Sequence, residues 1–262
     1  MDHRLSRRGL FVGSAAAFLA SALGACDGTP LITPSPTPTL RPPDGTPLAV
    51  WELTGGPVGT AMLALRAPRL VVFGDGDAIA DAAYRSRLDP DQLQSLASGL
   101  VTDLGSDDAK KPRSAAPAAA GAPVTKVTAW SPTGTLTFTA EGLDELKPDH
   151  VYADVLYDAR DRLAAVHKSV AATAQPYLAD RVRLVAMPVD GEPATASDWP
   201  VDVTLPAADA GGLRKADLSG DAARAVVRTL TRDLDQRGAW PAYQTTAGET
   251  VRASWRYLLP YE

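Results

Sequence analysis

From residue 48 onward, apolar and polar positions alternate in short runs broken by turn residues, and three longer stretches change to helical spacing. Ala49 to Leu53 predicts a strand closed by Gly55-Gly56-Pro57. Arg69 to Phe73 is apolar and β-branched, and Gly74-Asp75-Gly76-Asp77 predicts a hairpin turn into Ala78-Ile79. Asp89-Pro90 reads as a helix start, with Asp89 at the N-cap and Pro90 at the first helical position. Leu93, Leu96, Ala97, Leu100 and Leu104 then recur at helical spacing. Val127 to Trp130 and Thr135 to Ala140 flank Pro132-Thr133-Gly134, a second predicted hairpin. A helix is expected over Ala153 to Thr173, with Val155, Ala159, Leu163, Val166 and Val170 in one stripe.

Much of this order returns downstream. Arg69-Leu70-Val71 has a counterpart in Arg183-Leu184-Val185, and Val201, Val203 and Leu205 alternate like a strand. Ser219 stands where a cap belongs, before Ala223, Val226, Val227, Leu230 and Leu234, which match the apolar positions of the first helix one for one. Asp103-Leu104 and Asp233-Leu234 end the two helices alike, and Ala247-Gly248 turns a last hairpin. The pattern predicts an α+β fold of two related ββαββ units, with helices packed on antiparallel sheet and joined by a connecting helix. The expected boundaries are 48–150 for the first unit, 151–178 for the connecting helix and 179–262 for the second unit. The Ala/Pro-rich stretch from Ser106 to Pro123 reads as a solvated loop, and the apolar end Tyr257-Leu258-Leu259-Pro260-Tyr261 as a docked C-terminus.

The head of the chain has a different pattern. Arg4, Arg7 and Arg8 precede an apolar run from Leu10 to Leu23 and then small residues, the three-part layout of a secretory signal over 1–25. Ser6-Arg7-Arg8-Gly9-Leu10-Phe11 resembles the twin-arginine export motif, with Leu10 where that family usually places Phe. Leu23-Gly24-Ala25-Cys26 resembles a bacterial lipobox, which implies lipid attachment to the Cys26 thiol and cleavage before it. Cys26 is the only cysteine of the chain. Residues 27–47 hold seven prolines among Thr and Ser, a composition that favours polyproline II and makes 26–47 a lipidated stalk. At about 3.1 Å per residue its reach is about 60 Å.

Composition narrows the chemistry. The formal net charge is −5; without residues 1–25, 23 Lys and Arg face 30 Asp and Glu, which is near −7. No basic run interrupts that balance, so nucleic acid is not an expected partner. The body has no cysteine, hence no disulfide, and only His150 and His167 as imidazoles, so neither a metal site nor a cofactor is expected. Asp154, Asp158 and Asp161 share a helical face behind His150, spacing that suits a cation site, an acid/base pair or a solvated surface, and the surface reading accounts for Arg160 and Arg162 as well. Asp75 and Asp77 lack the glutamate and spacing of a calcium loop. Trp51, Trp130, Trp240 and Trp255 lie in or beside expected strands, where burial is the default and an exposed anchor for a partner or glycan the alternative. Trp199-Pro200 and Trp240-Pro241 mark expected strand starts.

Thr54-Gly55-Gly56, Pro68 to Gly76 and the Leu88-Asp89-Pro90 helix start resemble secreted actinobacterial proteins without an assigned activity, over roughly residues 48–104. That resemblance implies secretion and brings no catalytic residues. Taken together, the sequence predicts a domain on the extracytoplasmic face of the cell membrane, held there by lipid on Cys26. Its expected role is binding of an unidentified ligand, envelope protein or glycan rather than catalysis. A carboxylate-dependent hydrolase or carbohydrate-active enzyme, and a structural envelope lipoprotein, are the alternatives.

Overall fold

The antiparallel strands that the alternating pattern predicts form two sheets rather than one, each made mostly of antiparallel pairs. The computed structural model describes residues 41–111, 118–189 and 195–262. Arg7, Arg8, Cys26 and the stalk as far as residue 40 lie outside the described residues. So does the middle of the Ala/Pro-rich loop, residues 112–117.

The first sheet is built from β1 (Pro47–Gly55), β2 (Leu70–Phe73), β3 (Asp77–Ala80), β4 (Tyr84–Arg87), β5 (Pro123–Ser131) and β6 (Gly134–Glu141), in the order β4-β3-β2-β1-β5-β6. A six-residue helix, α1 (Thr60–Leu65), links β1 to β2, and α2 (Pro90–Gly105) links β4 to β5. The helix α3 (Asp154–Ala172) follows β6. The second sheet comprises β7 (Arg181–Pro188), β8 (Ser197–Asp198), β9 (Arg214–Ser219), β10 (Ala242–Gln244) and β11 (Thr250–Tyr257), ordered β8-β10-β11-β7-β9, with α4 (Gly220–Arg237) between β9 and β10. The fold is α+β.

Local chemistry explains the helix starts. Asp89 accepts from the Gln92 amide at 2.8 Å, and the Gln92 side chain accepts from the Asp89 amide at 3.2 Å, a complete capping box ahead of Pro90. Ser219 is the N-cap of α4, although its side chain makes no capping bond. The β2–β3 turn closes over Gly76, whose φ of +93° and position against the Leu88 carbonyl suit a residue without Cβ. Asp75 and Asp77 are absorbed by that turn: the Asp77 amide donates to the Asp75 carboxylate, and Arg85 pairs with Asp77.

Period-two alternation sets the layers. Ala49 and Trp51 on β1, Leu70 and Val72 on β2, Ala78 and Ala80 on β3, and Val127 and Ala129 on β5 share one face of the first sheet. They pack against Leu96, Leu100 and Leu104 of α2 and Leu156, Ala159, Leu163 and Val170 of α3. The opposite face, through Val50, Val71, Phe73 and Ile79, meets Tyr177 from the segment after α3 and Tyr257 and Leu259 from the second half. In the second sheet Val182, Leu184, Ala186, Val251 and Ala253 lie beneath Ala223, Val226 and Leu230 of α4. The apolar tail is docked as expected: Leu258 and Leu259 are buried, and the Tyr177 hydroxyl donates to the Leu258 carbonyl at 2.8 Å.

The two halves share the sequence of strands, helix and closing hairpin, with more strands than the two expected before each helix. The likeness between α2 and α4 extends towards their C-terminal ends, where Asp103 and Asp233 are both buried. Asp103 accepts from Arg162 of α3 at 2.7 Å, and Asp233 from the Tyr243 hydroxyl at 2.8 Å. The strand connections differ. After α2 the chain enters β5, which pairs with β1, whereas after α4 it enters β10 at the far side of β11. Val201 to Leu205 is not a strand; Trp199-Pro200 and Pro206 bracket it, the Val203 amide returns to the Pro200 carbonyl, and the Trp199 indole donates to the Val203 carbonyl. The strand lies further on, at β9, where Arg214, Lys215, Asp217 and Ser219 mask the alternation. Pro42 is buried against Gly74, so the folded body starts a few residues before the expected stalk boundary.

Candidate functional site

Between the first and second sheets lies a cleft of about 380 Å³. Its wall from the first sheet is the end of β1, Glu52 to Gly55, with the segment that follows α1. The second sheet contributes Arg183, Lys215 and Arg256, and the tail contributes Tyr261 and Glu262.

The same alternation that buries the cores places these side chains. Trp51 faces the helices, so Glu52 faces the other way. Val182 and Leu184 face α4, so Arg183 points from the opposite surface of β7, as Lys215 and Asp217 do on β9 and Arg256 on β11. The register sets Arg256 directly opposite Arg183, and Arg183 directly opposite Asp217. Two cations facing each other across a ladder repel, and carboxylates answer on both sides. Arg183 makes a bidentate pair with Asp217 at 2.7 and 2.9 Å. Glu262 takes Arg256 in two bonds at 2.7 and 2.6 Å, lies 3.5 Å from Arg183, and accepts from the Leu259 amide at 3.0 Å.

These contacts set the ionisation of the cleft. Burial alone pushes the Glu262 carboxyl up. The bonds from Arg256 and the Leu259 amide, with the charges of Arg256 and Arg183, outweigh it and hold the group below its ordinary value. The bond from Arg183 does the same for Asp217, against desolvation, with help from the charges of Arg183, Lys215 and Arg256. Burial, with Glu52 and Glu262 nearby, drives the Tyr261 phenol upward, so it stays protonated as a donor. Glu52 is paired with Lys126 at 3.2 Å. Arg66 braces the cleft by donating to the Gly55 carbonyl at 2.7 Å and to the Leu53 carbonyl at 3.4 Å.

The residues singled out from sequence lie elsewhere. His150 reaches Asp154 at 3.3 Å on an exposed surface, Asp161 pairs with Lys147 at 2.8 Å, and Asp158 is exposed, so the acids of α3 do not converge. No group of three or more metal-ligating side chains forms among the described residues. His167 bonds Asp81 at 2.7 Å and meets Trp51 edge-on, and Asp81 also pairs with Arg69 at 2.9 Å. Because Asp81 and Ala82 both have positive φ in the β3–β4 turn, this cluster reads as a clamp holding a strained turn against α3. Trp51 is buried as expected, and the other four tryptophans are half-buried.

Arg183 enters the sequence reading only as a marker of the repeat, and Arg256, Lys215, Glu52 and Glu262 do not enter it at all. The signal was present: Arg181 and Arg183 alternate with Val182 and Leu184, which puts charge on a strand face that a second layer covers. No helix among the described residues is long and apolar enough to cross a membrane. Comparison with known proteins found no matching family, no similar curated protein and no similar solved structure.

Proposed function

We propose that this chain is an extracytoplasmic binding module held at the cell membrane by lipid on Cys26, and that the cleft between its sheets is the ligand site. The observation that carries the binding reading is the ionisation of that cleft. Its carboxylates are committed: Glu262 to Arg256, Asp217 to Arg183 and Glu52 to Lys126. A glycosidase-like mechanism needs one carboxylic acid that keeps its proton near neutrality. Glu262 is held the opposite way, below its ordinary value. A preorganised, charge-lined cavity without a proton donor of that kind suits recognition.

The anchor reading is supported by the lipobox-like Leu23-Gly24-Ala25-Cys26 and by the single cysteine falling within it. Two or more acyl chains give stable attachment where one gives only marginal binding. Cells fed an alkyne-bearing fatty acid are expected to label the wild-type chain and retain it in the membrane fraction. Cys26→Ser is expected to abolish labelling and to release the domain from membranes. Equal labelling of both forms counts against the proposal.

A further inference from the structure

The charges around the cleft do not cancel. Among side chains, Arg66, Lys126, Arg183, Lys215 and Arg256 stand against Glu52, Asp217 and Glu262, five cations to three carboxylates, while Arg181 holds the main-chain oxygen of Glu262. Three of the cations are matched: Lys126 by Glu52, Arg183 by Asp217 and Arg256 by Glu262. The two in excess, among the described residues, are Arg66, whose side chain bonds only main-chain carbonyls, and Lys215, whose side chain has no hydrogen bond or ion pair. This excess sits in a protein whose mature charge is near −7, so it is a local feature and not a reflection of composition. Beside it the Tyr261 hydroxyl remains a donor. The buried Nε of Arg256, a side chain nine-tenths buried, has no acceptor among the described residues.

We infer that the cleft binds a small ligand through an anionic group, a phosphate or carboxylate, held by Arg66 and Lys215. This deepens the binding reading and rests on it, while standing apart from the lipid anchor. Cation-to-anion bonds in a partly desolvated cleft are stronger than neutral ones, and a site whose own pairs are already satisfied needs no reorganisation to receive the charge. The cavity of about 380 Å³ falls in the lower part of the range typical of small-molecule sites. Arg183 and Arg256 serve as its fixed floor, since Asp217 and Glu262 hold their guanidinium groups in place.

Isothermal titration of the full chain with inorganic phosphate, and separately with succinate, at low ionic strength tests this. One-to-one binding of at least one probe is expected. Lys215→Glu and Arg66→Gln are each expected to weaken it tenfold or more, with far-ultraviolet circular dichroism unchanged. Arg224→Gln, on the exposed side of α4 where Arg224 pairs with Asp221, is expected to leave binding as it was. Failure of both probes to bind overturns the inference, as does equal weakening by Arg224→Gln, which signals unspecific attraction. Because fatty-acid labelling does not depend on the cleft, failure here is distinguishable from failure of the anchor.

Discussion

Glu262→Ala is expected to destabilise the protein by about 3–5 kcal/mol, the cost of breaking a largely buried ion pair by removing one partner. The magnitude follows from what remains. Arg256 and Arg183 face each other across β11 and β7, both mostly buried, and of the side-chain carboxylates that pair with them only Asp217 is left. Glu262→Gln keeps the shape and an acceptor oxygen, so its loss should be smaller. Acid should mimic the Gln form. Because the folded carboxyl titrates below its ordinary value of about 4.3, the pair's stabilisation is complete above that value and disappears as pH falls through the lowered folded value. Urea unfolding of wild type and Glu262→Gln from pH 7 down to pH 3 is therefore expected to show the two curves converging in acid. A constant gap across that range contradicts the assignment.

Leu100→Ala is expected to cost about 2–5 kcal/mol. Leu100 lies at the centre of α2, fully buried in the core formed by α2, α3 and the first sheet. Truncation removes its transfer free energy and leaves a cavity that neighbours cannot fill, because α2 is also fixed at both ends. The capping box at Asp89 holds one end, and the Asp103–Arg162 pair holds the other. The contrast is Val201, which is fully exposed at 104% and where Val201→Ser should stay within about 0.5 kcal/mol of wild type. Guanidinium denaturation of both variants gives the comparison. A near-neutral Leu100→Ala means that α2 does not form the core described.

The contrast between Leu100 and Val201 also explains how far the sequence could be read. Helical spacing identified α2, α3 and α4 because a buried stripe must recur every three or four residues, and the residues so placed, Leu234 apart, pack in the cores. The hairpins at Gly74 to Asp77, Pro132 to Gly134 and Ala247-Gly248 were equally legible, since few residues suit those turns. Val201, Val203 and Leu205 were misleading because alternation occurs by chance over five residues, and Pro200 and Pro206 favour a turn there. β9 was hidden for the opposite reason: as an edge strand it needs little apolar surface. The cleft was illegible in the order of residues, because Glu52, Arg183, Lys215, Arg256 and Glu262 meet only once the sheets stack. Pairing register, which no local pattern states, is what brings Arg183 opposite Arg256.

Anchoring depends most directly on how the chain is processed, because a module held outside the membrane by lipid on Cys26 needs its leader removed and lipid on the thiol of its new first residue. Mass spectrometry of the N-terminal peptide of protein isolated from membranes reads this outcome. The expected peptide begins at Cys26 and carries diacylglyceryl mass on the thiol, with or without a further acyl group on the amine. A chain that retains Met1, or one that begins at any other residue, contradicts it.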